Sequence, residues 1–219
     1  MPLMAKILMA ALAALTLGAC TPLTSSRPLF SLADAAGPTP LSEGVWTALN
    51  ENCTREMAAR TPLPEGCDQI VLHRRADGAY ELKGAGKDSG GGERSAALTL
   101  IIAPAVSTSA ADAYAPLYLV QLSPRDADAT SSASPQSRVY AVFAPIGAMP
   151  AREAFFTDID CTAILREGPI TGVTEQHGPG GALSGCTTDS PAAVREAARR
   201  ALIEALGHID QDRLVFAHP

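Results

Sequence analysis

From residue 43 to residue 146 the chain consists of short β-branched and aromatic runs broken by Gly, Pro, Asp and Ser, with no helical apolar period between them. Parallel strands need long crossovers, usually helical, so this pattern fits antiparallel hairpins better than βαβ units. The runs are EGVWTALN (43–50), DQIVLHRR (68–75), AYELKG (79–84), AALTLIIA (96–103), APLYLVQLS (115–123) and SRVYAVFAPI (137–146). Ala76-Asp77-Gly78 separates the second from the third, and Asp-Gly between alternating runs signals a hairpin. In AYELKG, Tyr80 and Leu82 fall on one face and Glu81 and Lys83 on the other, the mark of a strand with one wet side.

Residues 149–174 read mostly as strand interrupted by Pro169, although AREAFFTD could also open a helix. One helix is well marked: Ser190 as N-cap, Pro191 at the first helical position and Gly207 as the stop. Val194, Ala197, Ala198, Ala201, Leu202 and Ala205 recur at helical spacing, with Arg195, Glu196, Arg199 and Arg200 opposite. A small-residue face of this kind packs closely on a sheet. RLVFA then supplies a last strand. The expected fold is α+β, mainly β: a curved or partly closed antiparallel sheet of about seven or eight strands with one C-terminal helix.

The cysteines depend on the compartment, which the N-terminus addresses. Residues 1–19, MPLMAKILMAALAALTLGA, carry one charge, Lys6, followed by an apolar stretch. This is the layout of a secretory signal, too short for a membrane span of roughly 20 apolar residues. Leu17-Gly18-Ala19-Cys20 resembles the lipobox of bacterial lipoproteins. The resemblance implies cleavage before Cys20, diacylglycerol on its thiol and acylation of the new amino group. A lipid anchor and a periplasmic setting follow. Thr21, where an Asp would imply inner-membrane retention, implies the periplasmic face of the outer membrane. An LSEGVW strand, two spaced cysteine pairs and an Arg/Ala-rich terminal helix are together similar to uncharacterised envelope lipoproteins of alphaproteobacteria, which brings no activity with it.

With Cys20 committed to lipid, Cys53, Cys67, Cys161 and Cys186 remain, and an even set in an oxidising compartment reads as disulfides. Three connectivities are possible; clustering in sequence favours Cys53 with Cys67 and Cys161 with Cys186. The alternative, zinc on Cys161, His177 and Cys186 with Asp158 or Asp160, lacks the tight spacing of structural zinc. Residues 20–41 contain four prolines and no sustained period, so they are expected to be a lipidated N-terminus and tether of at most about 70 Å, with docking of Pro28-Leu29-Phe30 as the alternative. Residues 42–219 form the expected single disulfide-bonded domain.

Chemistry is weakly signalled. A formal net charge of −6 disfavours a nucleic-acid partner. GKDSGGGERS lacks the Gly-Lys-Ser/Thr ending of a phosphate-binding loop and reads as a strand connection. His73, His208 and His218 read as solvated. His177, with Glu175 and Ser184 nearby, could be assembled into a hydrolytic triad, but no nucleophile elbow accompanies it. Asp158 and Asp160, two apart on a strand, would share a face as a glycosidase pair does. No cofactor is expected. The leading expectation is a non-catalytic outer-membrane lipoprotein that binds an envelope protein or cell-wall component. The alternatives are a lipocalin-like carrier, lined by Leu98, Leu100, Tyr118, Val120, Tyr140 and Phe143, and an envelope hydrolase.

Overall fold

The computed structural model describes residues 21–35, 40–49, 53–64, 67, 69–87, 93–104, 118–124, 137–205 and 213–216. Cys20, Gly207, His208 and His218 lie outside them, as do residues 88–92 of the glycine-rich stretch. The strands are β1 (Leu23–Ser25), β2 (Gly44–Ala48), β3 (Gln69–Arg74), β4 (Tyr80–Lys87), β5 (Glu93–Pro104), β6 (Tyr118–Pro124), β7 (Arg138–Ile146), β8 (Glu153–Asp158), β9 (Val173–His177), β10 (Leu183–Thr188) and β11 (Arg213–Phe216). Among the described residues three helices accompany them: α1 (Arg55–Ala58), α2 (Cys161–Leu165) and α3 (Pro191–Ala205).

Eight strands pair in a ring, β2-β3-β4-β5-β6-β7-β8-β11, and every neighbour is antiparallel. The sheet curls until β6 meets β7, with Tyr118 opposite Phe143 and Leu122 opposite Val139. β11 completes the circle between β8 and β2, placing Phe216 opposite Trp46. The expected β3–β4 hairpin is present: Gly78 takes φ +91°, and its N–H donates to Arg75 O at 3.0 Å. Asp77 Oδ1 accepts from Ala79 N at 3.1 Å, which fixes the turn.

Alternation along the strands sorts side chains between two cores. Trp46, Leu72, Tyr80, Leu100, Ile102, Tyr118, Val120, Leu122, Phe143 and Phe156 cluster together, each from a strand of the ring. Leu119, Tyr140, Val142 and Phe155, the alternating residues of β6, β7 and β8, belong instead to a second cluster with α3. Ser190 caps α3 by accepting from Ala193 N at 3.2 Å. Each of the six apolar positions expected to face inward on this helix is buried. On the far wall Glu81 and Lys83 pair at 3.5 Å on the wet side of β4.

Two expectations are corrected. The tether at residues 20–41 is, over its described part, built into the domain: β1 pairs antiparallel with β7 and parallel with β10, Leu23 has no exposed surface, and Phe30 is 2% exposed. Leu41 forms an isolated bridge with Ala151 and joins the ring cluster. Apolar side chains at 23, 30 and 41 drive this docking, the alternative considered for Pro28-Leu29-Phe30. Residues 149–174 are not mostly strand, because the Asp160 carboxylate accepts from Ala163 N at 2.9 Å and turns Cys161–Leu165 into a helix.

Candidate functional site

The seat of the N-terminal arm is the most extensively built polar site among the described residues. Asp160 Oδ2 accepts from Thr21 N at 2.8 Å and from the Thr21 hydroxyl at 3.3 Å, while its Oδ1 caps α2. Cys161 N returns a bond to Thr21 O at 2.8 Å, and Leu23 N donates to Ile159 O at 3.0 Å. Thr21 is thereby held through both its amide and its carbonyl. Pro22 O accepts from Cys186 N at 3.4 Å, and an added Cβ on Gly185 would meet that carbonyl oxygen at 3.6 Å, so the arm passes directly over this glycine.

Further along, Gln121 on β6 is 1% exposed and faces the arm. Its Oε1 accepts from Leu29 N at 2.8 Å and Phe30 N at 3.1 Å, and its Nε2 donates to Phe30 O at 3.2 Å. A buried amide that meets backbone on both its donor and acceptor sides substitutes for a strand neighbour, and it satisfies groups whose burial would otherwise be costly. The Tyr140 hydroxyl donates to the same Oε1 at 3.3 Å and lies 2.6 Å from Ser25 Oγ. Burial raises the pKa of this phenol above its usual value. Phe30 stacks edge-on against Tyr140 at 6.1 Å, and the Arg195 guanidinium lies 5.4 Å from the Phe30 centroid. Sequence reasoning treated Gln121 only as part of a strand; the one signal available was an amide amid apolar residues in YLVQLS.

A second feature is the free margin of the sheet. In the strand order β9 is terminal, hydrogen-bonded to β10, and Thr174, Glu175, Gln176 and His177 are exposed along it. His177 Nε2 meets Glu175 Oε2 at 3.2 Å, and its Nδ1 lies 3.1 Å from Gly181 O. Ser184 Oγ donates to Gln176 O at 3.1 Å. The His177 and Ser184 side chains thus have separate partners, and the Ser-His contact that a triad needs is not made. Asp160 likewise departs from its expected geometry: β8 ends at Asp158, and Asp160 lies beyond it as the cap of α2, so strand alternation does not relate the two carboxylates.

Both near pairs of cysteines are disulfide-bonded, Cys53 with Cys67 and Cys161 with Cys186, at Cα separations of 4.9 and 5.9 Å. Zinc on Cys161 and Cys186 is thereby ruled out in this state, since each sulfur is bonded to the other. His73 is half exposed to solvent and pairs with Glu43 at 2.8 Å. Of the residues expected to line a carrier cup, Leu100, Tyr118, Val120 and Phe143 belong to the ring cluster, but Tyr140 faces the arm and α3 instead. No helix among the described residues is long and apolar enough to cross a membrane. The chain matches no protein-family profile, no curated protein and no solved structure.

Proposed function

We propose that the protein is a non-catalytic lipoprotein of the outer membrane, facing the periplasm, that binds an envelope protein or cell-wall component. The observation that carries this reading is the β9 margin. Ring closure leaves eight strands paired on both sides, whereas β9 ends the sheet with its outward residues in solvent. A terminal strand of this kind offers unpaired backbone groups to an incoming strand, the basis of β-augmentation. The lipobox resemblance at Leu17–Cys20 supplies the location, and the two disulfides suit an oxidising compartment.

The test is photo-crosslinking in intact cells from a reactive residue at Thr174 on β9. A discrete adduct above the monomer is expected, and it should vanish when Glu175→Pro removes a backbone donor. Recovery of free monomer alone would reject the β9 margin as a contact.

The ring gives a second reading, a carrier of a small apolar ligand, since eight antiparallel strands can enclose one. Native mass spectrometry of the Cys20→Ser chain separates the two. An adduct of lipid or metabolite mass favours the carrier; a bare mass favours partner binding.

A further inference from the structure

We infer that the protein sits flush on the bilayer in one fixed orientation, with the β9–β10 turn toward the lipid headgroups. This rests on the reading that Cys20 is lipidated. Consecutive Cα atoms are about 3.8 Å apart, so Cys20 is one short step from Thr21. Thr21 is held to the body by Asp160 and Cys161 through its amide, hydroxyl and carbonyl, so no free chain intervenes between acylated residue and fold. The headgroup layer is roughly 5 to 8 Å deep on each side of the hydrocarbon. An anchor without slack therefore brings the surface around Thr21 into that layer.

Strand register identifies the surface. β1 is parallel to β10, with Leu23 opposite Cys186 and Thr24 opposite Thr187. Stepping back from Leu23 to Thr21 therefore steps back along β10 toward Ser184 and the turn that joins β10 to β9. Thr162 Oγ1, on α2, lies 3.1 Å from Thr21 Oγ1 and borders the same surface. The exposed groups here are hydroxyls, amides and backbone: Thr162, Gln176, Ser184 and the uncharged segment Gly178–Ala182. The Asp160 carboxylate is taken up by Thr21 and by the cap of α2, and the Glu175 carboxylate lies 3.2 Å from the His177 ring. Such a surface can rest among polar headgroups without stripping water from an isolated charge. The far end of the sheet lies the other way along β1 and β10: Ser25 is opposite Arg138 at the start of β7, Arg27 pairs with Asp189 at 3.7 Å, and the exposed Ala192 follows in the first turn of α3.

The test uses the full-length, envelope-extracted protein in phosphatidylethanolamine/phosphatidylglycerol vesicles containing a lipid with a nitroxide on its headgroup. A fluorescent amino acid replaces one exposed alanine, either Ala182 or Ala192. Quenching several-fold stronger at residue 182 than at residue 192 is expected. A third protein carries the probe at residue 182 and an insert of about twelve Gly and Ser residues after Thr21, spanning about 20 Å on average. Its quenching should fall toward the value at residue 192. Equal quenching at the two sites in a protein whose mass includes the acyl chains would overturn the fixed orientation while leaving lipidation standing. A protein without acyl mass that fails to join the vesicles would overturn lipidation, and the orientation with it.

Discussion

The wall made by β6, β7 and β8 is apolar on both faces, whereas β3 and β4, across the ring, are apolar on the inside and wet on the outside. Both walls obey the same alternation, so the difference lies in what covers them. Outside β7 lie α3 and the N-terminal arm, whose buried side chains from Leu23 to Leu202 form one cluster with Tyr140 and Val142. Outside β4 the Lys83 ammonium is in solvent beside Glu81. A strand's outer residues are thus decided by distant parts of the chain, and substitutions on the two outer faces should differ sharply.

The largest effect is expected for Phe155→Ala on the outer face of β8. Phe155 is 1% exposed, and deleting such a ring typically costs about 3 to 5 kcal/mol, read as a lower urea midpoint with the disulfides intact. Gln121→Leu should cost about 1 to 3 kcal/mol for each arm amide left buried without a partner, and it should convert this wall toward the wet kind. Hydrogen exchange at Leu29 and Phe30 should accelerate far more than exchange in β4; unchanged protection would show that Gln121 does not hold the arm.

Arg200→Ala comes next. Its Nη1 donates to Ile164 O at 2.9 Å and Gly168 O at 2.6 Å, tying α3 to the end of α2, and its loss should cost about 1 to 3 kcal/mol. A smaller, pH-dependent contribution comes from Glu196. Hydrogen bonds from Arg199, with further help from Arg200, hold its carboxyl at about 2, below the ordinary 4.5. A depressed carboxyl stabilises the fold above its unfolded value and stops doing so as pH falls through the folded one. The stability difference between the native protein and Glu196→Gln should therefore shrink as pH drops from 4.5 toward 2, the partial exposure of the pair keeping it modest. Lys83→Ala, on the wet face, should leave stability within about 0.5 kcal/mol.

The same contrast explains what the sequence made legible. Period-two alternation exposed β2 through β7, and Ser190-Pro191 with its alanine stripe exposed α3, because those signals are local. The arm was not legible: proline-rich and aperiodic, it satisfies its backbone through Gln121, some ninety residues away in sequence. The helix α2 announced itself only through Asp160 as a cap, hidden inside a run rich in strand formers. Of the candidate residues, the cysteine pairs followed from clustering in sequence. His177, Asp158 and Asp160 had only composition to recommend them, and Asp160 turned out to hold Thr21 of the arm and to cap a helix.

Closure of the ring by β11 has a consequence for when folding can finish. β2 and β8 flank the gap that Arg213–Phe216 fills, and those residues follow everything else in the ring. While the polypeptide emerges, the margins of β2 and β8 stay open, and a long-range contact of this kind forms slowly. The newly made chain is therefore most vulnerable to intermolecular strand pairing in the interval before Arg213–Phe216 arrives.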